Sequence, residues 1–371
     1  MKVIIAAAGT GGHINPGIAI ANQIEKENPG SDIRFIATGK KLEEDLISKA
    51  GYKSYAINAN GFSKELSIDN IKRTIKTIRG FKEAKKILKE FKPDVVIGTG
   101  GYICGAVISG AHKLKIPTLL HESNAYPGLA IRMLQKKADT IMVGIKEAKE
   151  YLKKCKNVVY TGTPTKVKEL KLTKEEKNKI LKELGINDKL PIVLIFGGSQ
   201  GAKRINDSVI ELLKSSLNKK YTIVWATGQE QYNYVKEELS KANIDIEKVK
   251  NAKILPYIYN MSEVMNISDL VVARSGAMTL TELALLGKPA VFIPLPSSSA
   301  NRQEDNARVF EKNKAASIIL NNEVNKDNLN KEIENIILDK KKLETMSKNS
   351  KKMAIYDAED RIYKEIKKLV G

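Results

Sequence analysis

Val3-Ile4-Ile5-Ala6-Ala7-Ala8-Gly9-Thr10-Gly11-Gly12-His13 and Ile192-Val193-Leu194-Ile195-Phe196-Gly197-Gly198-Ser199-Gln200-Gly201 open the two halves of this 371-residue chain. Each runs from an unbroken apolar stretch into a glycine-rich turn and on into a helical pattern. A short apolar run without polar alternation is the pattern of a strand buried on both faces of a parallel sheet. The glycines after it let the backbone approach a ligand closely, and the amides of the following helix favour phosphate or a polar sugar. One such unit suggests a nucleotide site; two suggest two α/β domains.

Working outward, similar runs recur at 33–37, 95–98, 118–121, 140–143 and 158–160, and again at 222–226, 253–255, 270–273 and 290–294. The connections between them are long enough for helices, so the fold class is α/β, doubly wound, twice over. Thr161-Gly162-Thr163-Pro164 breaks the pattern, which places one domain at 1–162 and a second at 163–350. A charged helix is expected across 171–185. The tail, 351–371, carries an amphipathic helix near 358–369 that is free to pack back on the first domain.

Composition narrows the class. No apolar stretch approaches the roughly 20 residues of a membrane span, and the start of the chain lacks the features of a secretory signal, so a cytoplasmic protein is expected. The two cysteines, Cys104 and Cys155, argue against a disulfide framework and against a thiolate metal site. Sixty-three Lys and Arg against 43 Asp and Glu leave a formal charge of +20, which suits a phosphorylated substrate, an anionic membrane or nucleic acid. The basic residues lack aromatic platforms and any nucleic-acid motif, so nucleic acid is not expected.

The glycine loops differ in chemistry. His13 falls in the first turn after Gly9-Thr10-Gly11-Gly12, where a neutral imidazole, with an unperturbed pKa of about 6.5, can take a proton from a hydroxyl. The spacing is not that of a dinucleotide fold, and no acidic ribose ligand is clearly placed after the second strand, so a nicotinamide enzyme is not expected. Gly98-Thr99-Gly100-Gly101-Tyr102 and His121-Glu122-Ser123-Asn124 follow two other strands and converge on the same sheet edge as a cleft wall. The loop at Gly197 lacks the Gly-Lys-Ser/Thr ending of a phosphate-binding loop, which disfavours ATP hydrolysis. In Arg274-Ser275-Gly276-Ala277-Met278-Thr279-Leu280-Thr281-Glu282, Ser275 is expected to cap a helix whose first amides face a diphosphate, with Glu282 on the hydroxyls of a ribose. The polar stretch 297–306 suits sugar hydroxyls.

From Lys72 to Lys92 nine basic residues meet two acidic ones, interleaved with Ile71, Ile75, Ile78 and Phe81 at helical spacing. That pattern fits a helix lying on an anionic bilayer, and equally a solvated basic face over a core stripe.

Taken in order, these motifs resemble a family of bacterial glycosyltransferases that move N-acetylglucosamine from UDP-GlcNAc to undecaprenyl-linked lipid I, making lipid II for peptidoglycan. The resemblance runs nearly the full length. It implies a GT-B architecture, two Rossmann-like domains facing a central cleft, and inverting transfer without a metal or other cofactor. It further implies that Ile258 lies near the uracil, Glu282 on the ribose, Ser199 and the amides from Ala277 through Thr281 near the phosphates, and Gln303 on the sugar. Thr10, Gly11, Gly12 and Asn124 would close over the donor, with Lys166 a further donor contact. His13 would be the base, assisted by Glu122, while Gly100, Gly101, Tyr102 and His121 would face the acceptor pyrophosphate. The membrane reading of Ile71, Ile75, Ile78 and Phe81 gains weight, which implies a peripheral protein on the cytoplasmic face of the cell membrane, with room for cell-wall synthesis proteins as partners. Two departures stand out: Thr163 and Lys166 replace an asparagine and an arginine common in the family, so a point charge stands in for a bidentate contact, and Gln303-Glu304 replaces a glutamine pair. A UDP-GlcNAc 2-epimerase of the same architecture and a nucleotide-sugar-binding module are the competing readings.

Overall fold

A computed structural model describes residues 1–58, 68–187, 189–198, 200–296 and 301–371, with only the backbone described across 68–78. The chain divides into two compact units, one comprising Met1–Lys166 together with Ile355–Gly371 and the other Val167–Ala354.

The first unit is built on seven parallel strands, β1 (Lys2–Ala7), β2 (Asp32–Ala37), β3 (Lys53–Ala56), β4 (Val95–Gly100), β5 (Thr118–Glu122), β6 (Thr140–Val143) and β7 (Val158–Tyr160), in the order β3-β2-β1-β4-β5-β6-β7. The second carries six, β8 (Ile192–Phe196), β9 (Thr222–Ala226), β10 (Ala252–Leu255), β11 (Leu270–Ala273), β12 (Ala290–Phe292) and β13 (Ala316–Ile318), in the order β10-β9-β8-β11-β12-β13. Both sheets are doubly wound, as expected. In each, the winding reverses beside the first strand, between β1 and β4 and between β8 and β11. Sheets wound in this way take ligands beyond the carboxyl ends of the strands beside that reversal.

Alternation along β1 shows why its run is wholly apolar. Val3, Ile5 and Ala7 join one buried cluster with Ile14, Ile18 and Phe35 from one face of the sheet, whereas Ile4 and Ala6 join another with Leu88, Val107 and Ile108. The second unit centres on Trp225 and Tyr221, both fully buried. The indole Nε1 of Trp225 donates to Asn206 Oδ1 at 3.2 Å, and Asn206 Nδ2 donates to the Thr227 carbonyl at 2.9 Å, so these buried polar atoms are satisfied.

Two strands escape the sequence pattern, β3 and β13. Each lies at a sheet edge, and β3 is mostly exposed, so neither needs a continuous apolar run. The charged helix appears as Lys174–Leu184, opened by a reciprocal Thr173–Glu176 capping box and closed by Gly185 at φ +69°.

The C-terminal helix, Ala358–Val370, belongs to the first unit. Ile362 and Ile366 enter the cluster that holds Ile14 and Ile18, and Gln23 Nε2 donates to Asp360 Oδ1 at 2.8 Å. Glu359 Oε1 accepts from the Thr165 amide at 3.1 Å. The long basic helix, Ile68–Phe91, packs through Ala84 and Leu88 beside the helix Ile103–Lys113.

Candidate functional site

In the first unit the site grows from the ends of β1 and β4. The helix Gly11–Glu27 begins directly after β1, with Thr10 as an extended N-cap whose side chain makes no cap bond and with no acidic residue in its first turn. The helix start therefore keeps its partial positive charge unscreened by side chains of its own. Thr99 Oγ1 donates to the His13 carbonyl at 2.7 Å, pinning that first turn to the end of β4.

Gly100 and Gly101 explain the second glycine cluster. A Cβ on Gly100 would stand 2.2 Å from His13 Nδ1, and one on Gly101 would stand 2.5 Å from the Ala8 carbonyl oxygen. Both residues have positive φ, +121° and +83°. This stretch is glycine so that the imidazole and the preceding loop can lie directly on the β4 backbone. Tyr102 is half-buried beside them and packs on the core.

Glu122, at the end of β5, is 4% exposed. Its Oε1 accepts from the amide and the side-chain Nδ2 of Asn124, each at 2.9 Å, and its Oε2 accepts from the Gly128 amide at 2.7 Å. The carboxylate is thus a staple for the loop that presents Asn124, a different task from the acid–base assistance expected of it. His121 also departs from expectation. Its ring is fully buried, its Nε2–H donates to the Gly162 carbonyl at 3.0 Å, and burial holds its pKa below the ordinary imidazole value. An alternating strand points neighbouring side chains to opposite faces, and a ring with no exposure cannot reach an acceptor pyrophosphate; it ties β5 to the 161–164 turn.

The second unit repeats the plan at β8 and β11. Gly201, at φ +79°, lies against the Thr227 carbonyl, where a Cβ would stand 2.2 Å away, so this loop too is glycine for close backbone packing. Ser199 lies outside the described residues. After β11 the helix Ala277–Leu286 is capped by Gly276, with no side-chain cap bond and no acid in its first turn. Ser275 is therefore not the cap. Its Oγ donates instead to the Gln303 carbonyl at 2.7 Å, and its own carbonyl accepts from Asn306 Nδ2 at 3.1 Å.

Those bonds fix Gln303 beside the helix start. Its Oε1 accepts from the Leu295 amide at 3.0 Å. Met278, Thr279, Thr281 and Glu282 are partly exposed on the same helix, whereas Ala277 and Leu280 are buried. Ile258, 3% exposed, follows β10 between the exposed Tyr257 and Tyr259. Lys166 is exposed and ends the first stretch of the first unit.

Two residues given no role from sequence emerge. Arg274 Nη1 donates to the carbonyls of Ile293 and Pro294 and to Asn321 Oδ1, at 2.9, 3.0 and 2.8 Å, and burial lowers its pKa to about 10. Glu43 is wholly buried beneath the Gly9 loop. Of the apolar residues in the basic helix, Ile71, Ile75 and Ile78 have side chains outside the described residues. Phe81 is half-buried against the core with Lys113 Nζ 5.0 Å from its ring centre, so its ring is largely taken up by the protein. No helix among the described residues is long and apolar enough to cross a membrane.

Residues 3–143 match the glycosyltransferase family 28 N-terminal domain, and residues 192–362 match the glycosyltransferase family 28 C-terminal domain. A protein of Acetivibrio thermocellus named UDP-N-acetylglucosamine--N-acetylmuramyl-(pentapeptide) pyrophosphoryl-undecaprenol N-acetylglucosamine transferase is 42% identical, the alignment covering 100% of this chain and 98% of the relative. A protein of the same name from Halalkalibacterium halodurans is 38% identical over 100% and 99% of the two chains. Among solved structures, Acinetobacter baumannii MurG aligns with a TM-score of 0.77 at 27% identity, covering 99% of this chain and 100% of that one. The UDP-GlcNAc 2-epimerase of Neisseria meningitidis aligns at 0.67 with 18% identity over 99% and 100%, a likeness of fold alone.

Proposed function

The chain belongs to glycosyltransferase family 28, and from that premise we propose that it transfers N-acetylglucosamine from UDP-GlcNAc to the 4-hydroxyl of the N-acetylmuramoyl unit of undecaprenyl-pyrophosphoryl-pentapeptide, inverting the anomeric carbon. What carries the reading is full-length identity of 42% to a relative named for this transfer. The epimerase reading rests on a match in fold only.

The second unit takes the donor. Amides of Ala277, Met278 and Thr279, at a helix start with neither cap bond nor acidic neighbour in the first turn, receive the diphosphate. Leu280 and Thr281 extend that turn, Glu282 holds the ribose, and Ile258 borders the uracil. Gln303 donates from Nε2 to a sugar hydroxyl because its Oε1 is already engaged. Ser199 is assigned to the phosphates and Lys166 to a further contact with the donor.

The first unit brings the nucleophile. His13 accepts the proton of the acceptor hydroxyl as that oxygen attacks the anomeric carbon opposite the departing UDP. Fixed helix amides stabilise the charge growing on the leaving diphosphate. Thr10, Gly11, Gly12 and Asn124 contact the donor sugar, with Glu122 holding Asn124 in place. Gly100, Gly101 and Tyr102 border the acceptor pyrophosphate. The basic helix Ile68–Phe91 rests on an anionic membrane at its cytoplasmic face, a role supported by its charge excess.

A short-chain lipid I analogue, UDP-GlcNAc and no added metal make the test. UDP release is expected only with acceptor present, and His13→Ala is expected to lose turnover by at least about a hundredfold while still binding UDP-GlcNAc. Acceptor-independent conversion of UDP-GlcNAc, or an undiminished His13→Ala rate, would overturn the reading.

A further inference from the structure

The helix Lys41–Lys49 inverts the pattern its sequence suggests. Leu42 is 54% exposed, while its neighbour Glu43 is 0% exposed. A carboxylate is buried only where charge-assisted hydrogen bonds replace the water it loses. Three do so here. Glu43 Oε1 accepts from the Gly9 amide at 2.7 Å, and Oε2 accepts from the Thr38 amide at 2.7 Å and the Thr38 hydroxyl at 2.8 Å.

The first of these bonds reaches the loop that carries the chemistry. Gly9 has φ +103°, and the helix bearing His13 begins two residues later. Thr10 supplies no side-chain cap bond, so the loop's side-chain bracing does not come from that residue. Glu43 supplies it from a different element, joining the turn after β1 to the turn after β2. The start of the helix is then held between two fixed points, Glu43 on the Gly9 amide and Thr99 on the His13 carbonyl. Because the carboxylate is enclosed, its oxygens engage the loop backbone from beneath.

We propose that Glu43 is a positioning residue for transfer, setting the conformation of the Gly9–Thr10–Gly11–Gly12 loop and thereby the place of His13 against the acceptor hydroxyl. The assignment rests on the transferase reading above. Glu43→Gln keeps the shape but turns an amide NH2 toward either the Gly9 or the Thr38 amide, two donors facing each other. Misplacement of a reacting group by about 1 Å lowers rates up to about a hundredfold.

The experiment compares wild type, Glu43→Gln and the exposed neighbour variant Asp45→Asn for kcat, the KM for UDP-GlcNAc and the thermal midpoint by circular dichroism. Below its thermal midpoint, Glu43→Gln is expected to lose at least about tenfold in kcat, with the KM for UDP-GlcNAc within about twofold. Asp45→Asn is expected to match wild type. Hydrogen exchange of the Gly9 amide in the wild-type protein supplies a readout that needs no variant, with strong protection expected. A folded Glu43→Gln with wild-type kcat, a fall shared equally by Asp45→Asn, or an unprotected Gly9 amide overturns the proposal. A wild-type protein without acceptor-dependent transfer would instead overturn the transferase reading, leaving the Gly9 exchange result to stand by itself.

Discussion

Gly100 and His13 fit against each other so closely that a single methyl group on Gly100 would stand 2.2 Å from the imidazole Nδ1. The backbone at Gly100, φ +121°, is one that an L side chain rarely adopts. Gly100→Ala therefore strains the end of β4 and displaces the ring together. Transfer is expected to fall by about a hundredfold or more, and UDP-GlcNAc binding measured by calorimetry is expected to be little changed. A Gly100→Ala enzyme with wild-type turnover would separate the glycine from the chemistry.

Glu282 is assigned to the ribose, and the expected consequence is selective. Hydrogen bonds to a charged group contribute about 1.5–3 kcal/mol, so Glu282→Ala is expected to weaken UDP-GlcNAc and UDP binding by about tenfold to a hundredfold. Equal affinity of the variant and the wild type for UDP, measured by titration calorimetry, would remove Glu282 from the donor site.

Arg274 holds three oxygens with one guanidinium nitrogen. Arg274→Met leaves the Ile293 and Pro294 carbonyls and Asn321 Oδ1 without that donor, which is expected to cost about 2–4 kcal/mol in a urea unfolding experiment. Donor affinity should weaken as well, because the same segment carries Leu295, whose amide orients Gln303. Unfolding midpoints that coincide would show the contact to be dispensable.

His121 makes stability depend on pH. Its folded pKa lies below the ordinary value of 6.5 because burial disfavours the cation. As pH falls below about 6.5 the unfolded chain takes up a proton that the folded chain refuses, so stability drops with acidification by up to about 1.4 kcal/mol per pH unit. His121→Gln removes that contribution. Denaturation between pH 7.5 and 5 should show a shallower acid slope in the variant, and identical slopes would contradict the assignment.

The fold was readable because its determinants are local. Interior strands such as β1, β8 and β11 are buried on both faces and write that burial as unbroken apolar runs. Edge strands β3 and β13 have fewer neighbours to satisfy and leave a weaker trace. The site was readable in part. Glycine loops announce strand-to-helix turns, and His13 stands out on one of them. Whether a polar residue faces a ligand or the protein depends on partners far along the chain, such as Gly162 for His121 or Gly9 for Glu43. Nothing in Lys41-Leu42-Glu43-Glu44 marks the first glutamate as buried and the leucine as exposed. The two units also brace their loops with opposite charge, buried carboxylates gathering amides in the first and a half-buried guanidinium gathering carbonyls in the second. That choice is invisible until the loops are folded.

Ile362 and Ile366 complete the cluster begun by Val3 and Ile5, which gives synthesis an order. When the ribosome has made Met1–Lys166, that apolar face still lacks its final covering, and Val167–Ala354 must emerge before Ile355–Gly371 can supply it. The second unit can thus mature while the first waits. A protease cut near residue 355 would strike the opposite end of the molecule's sequence from His13 and still unsettle the helix that carries it.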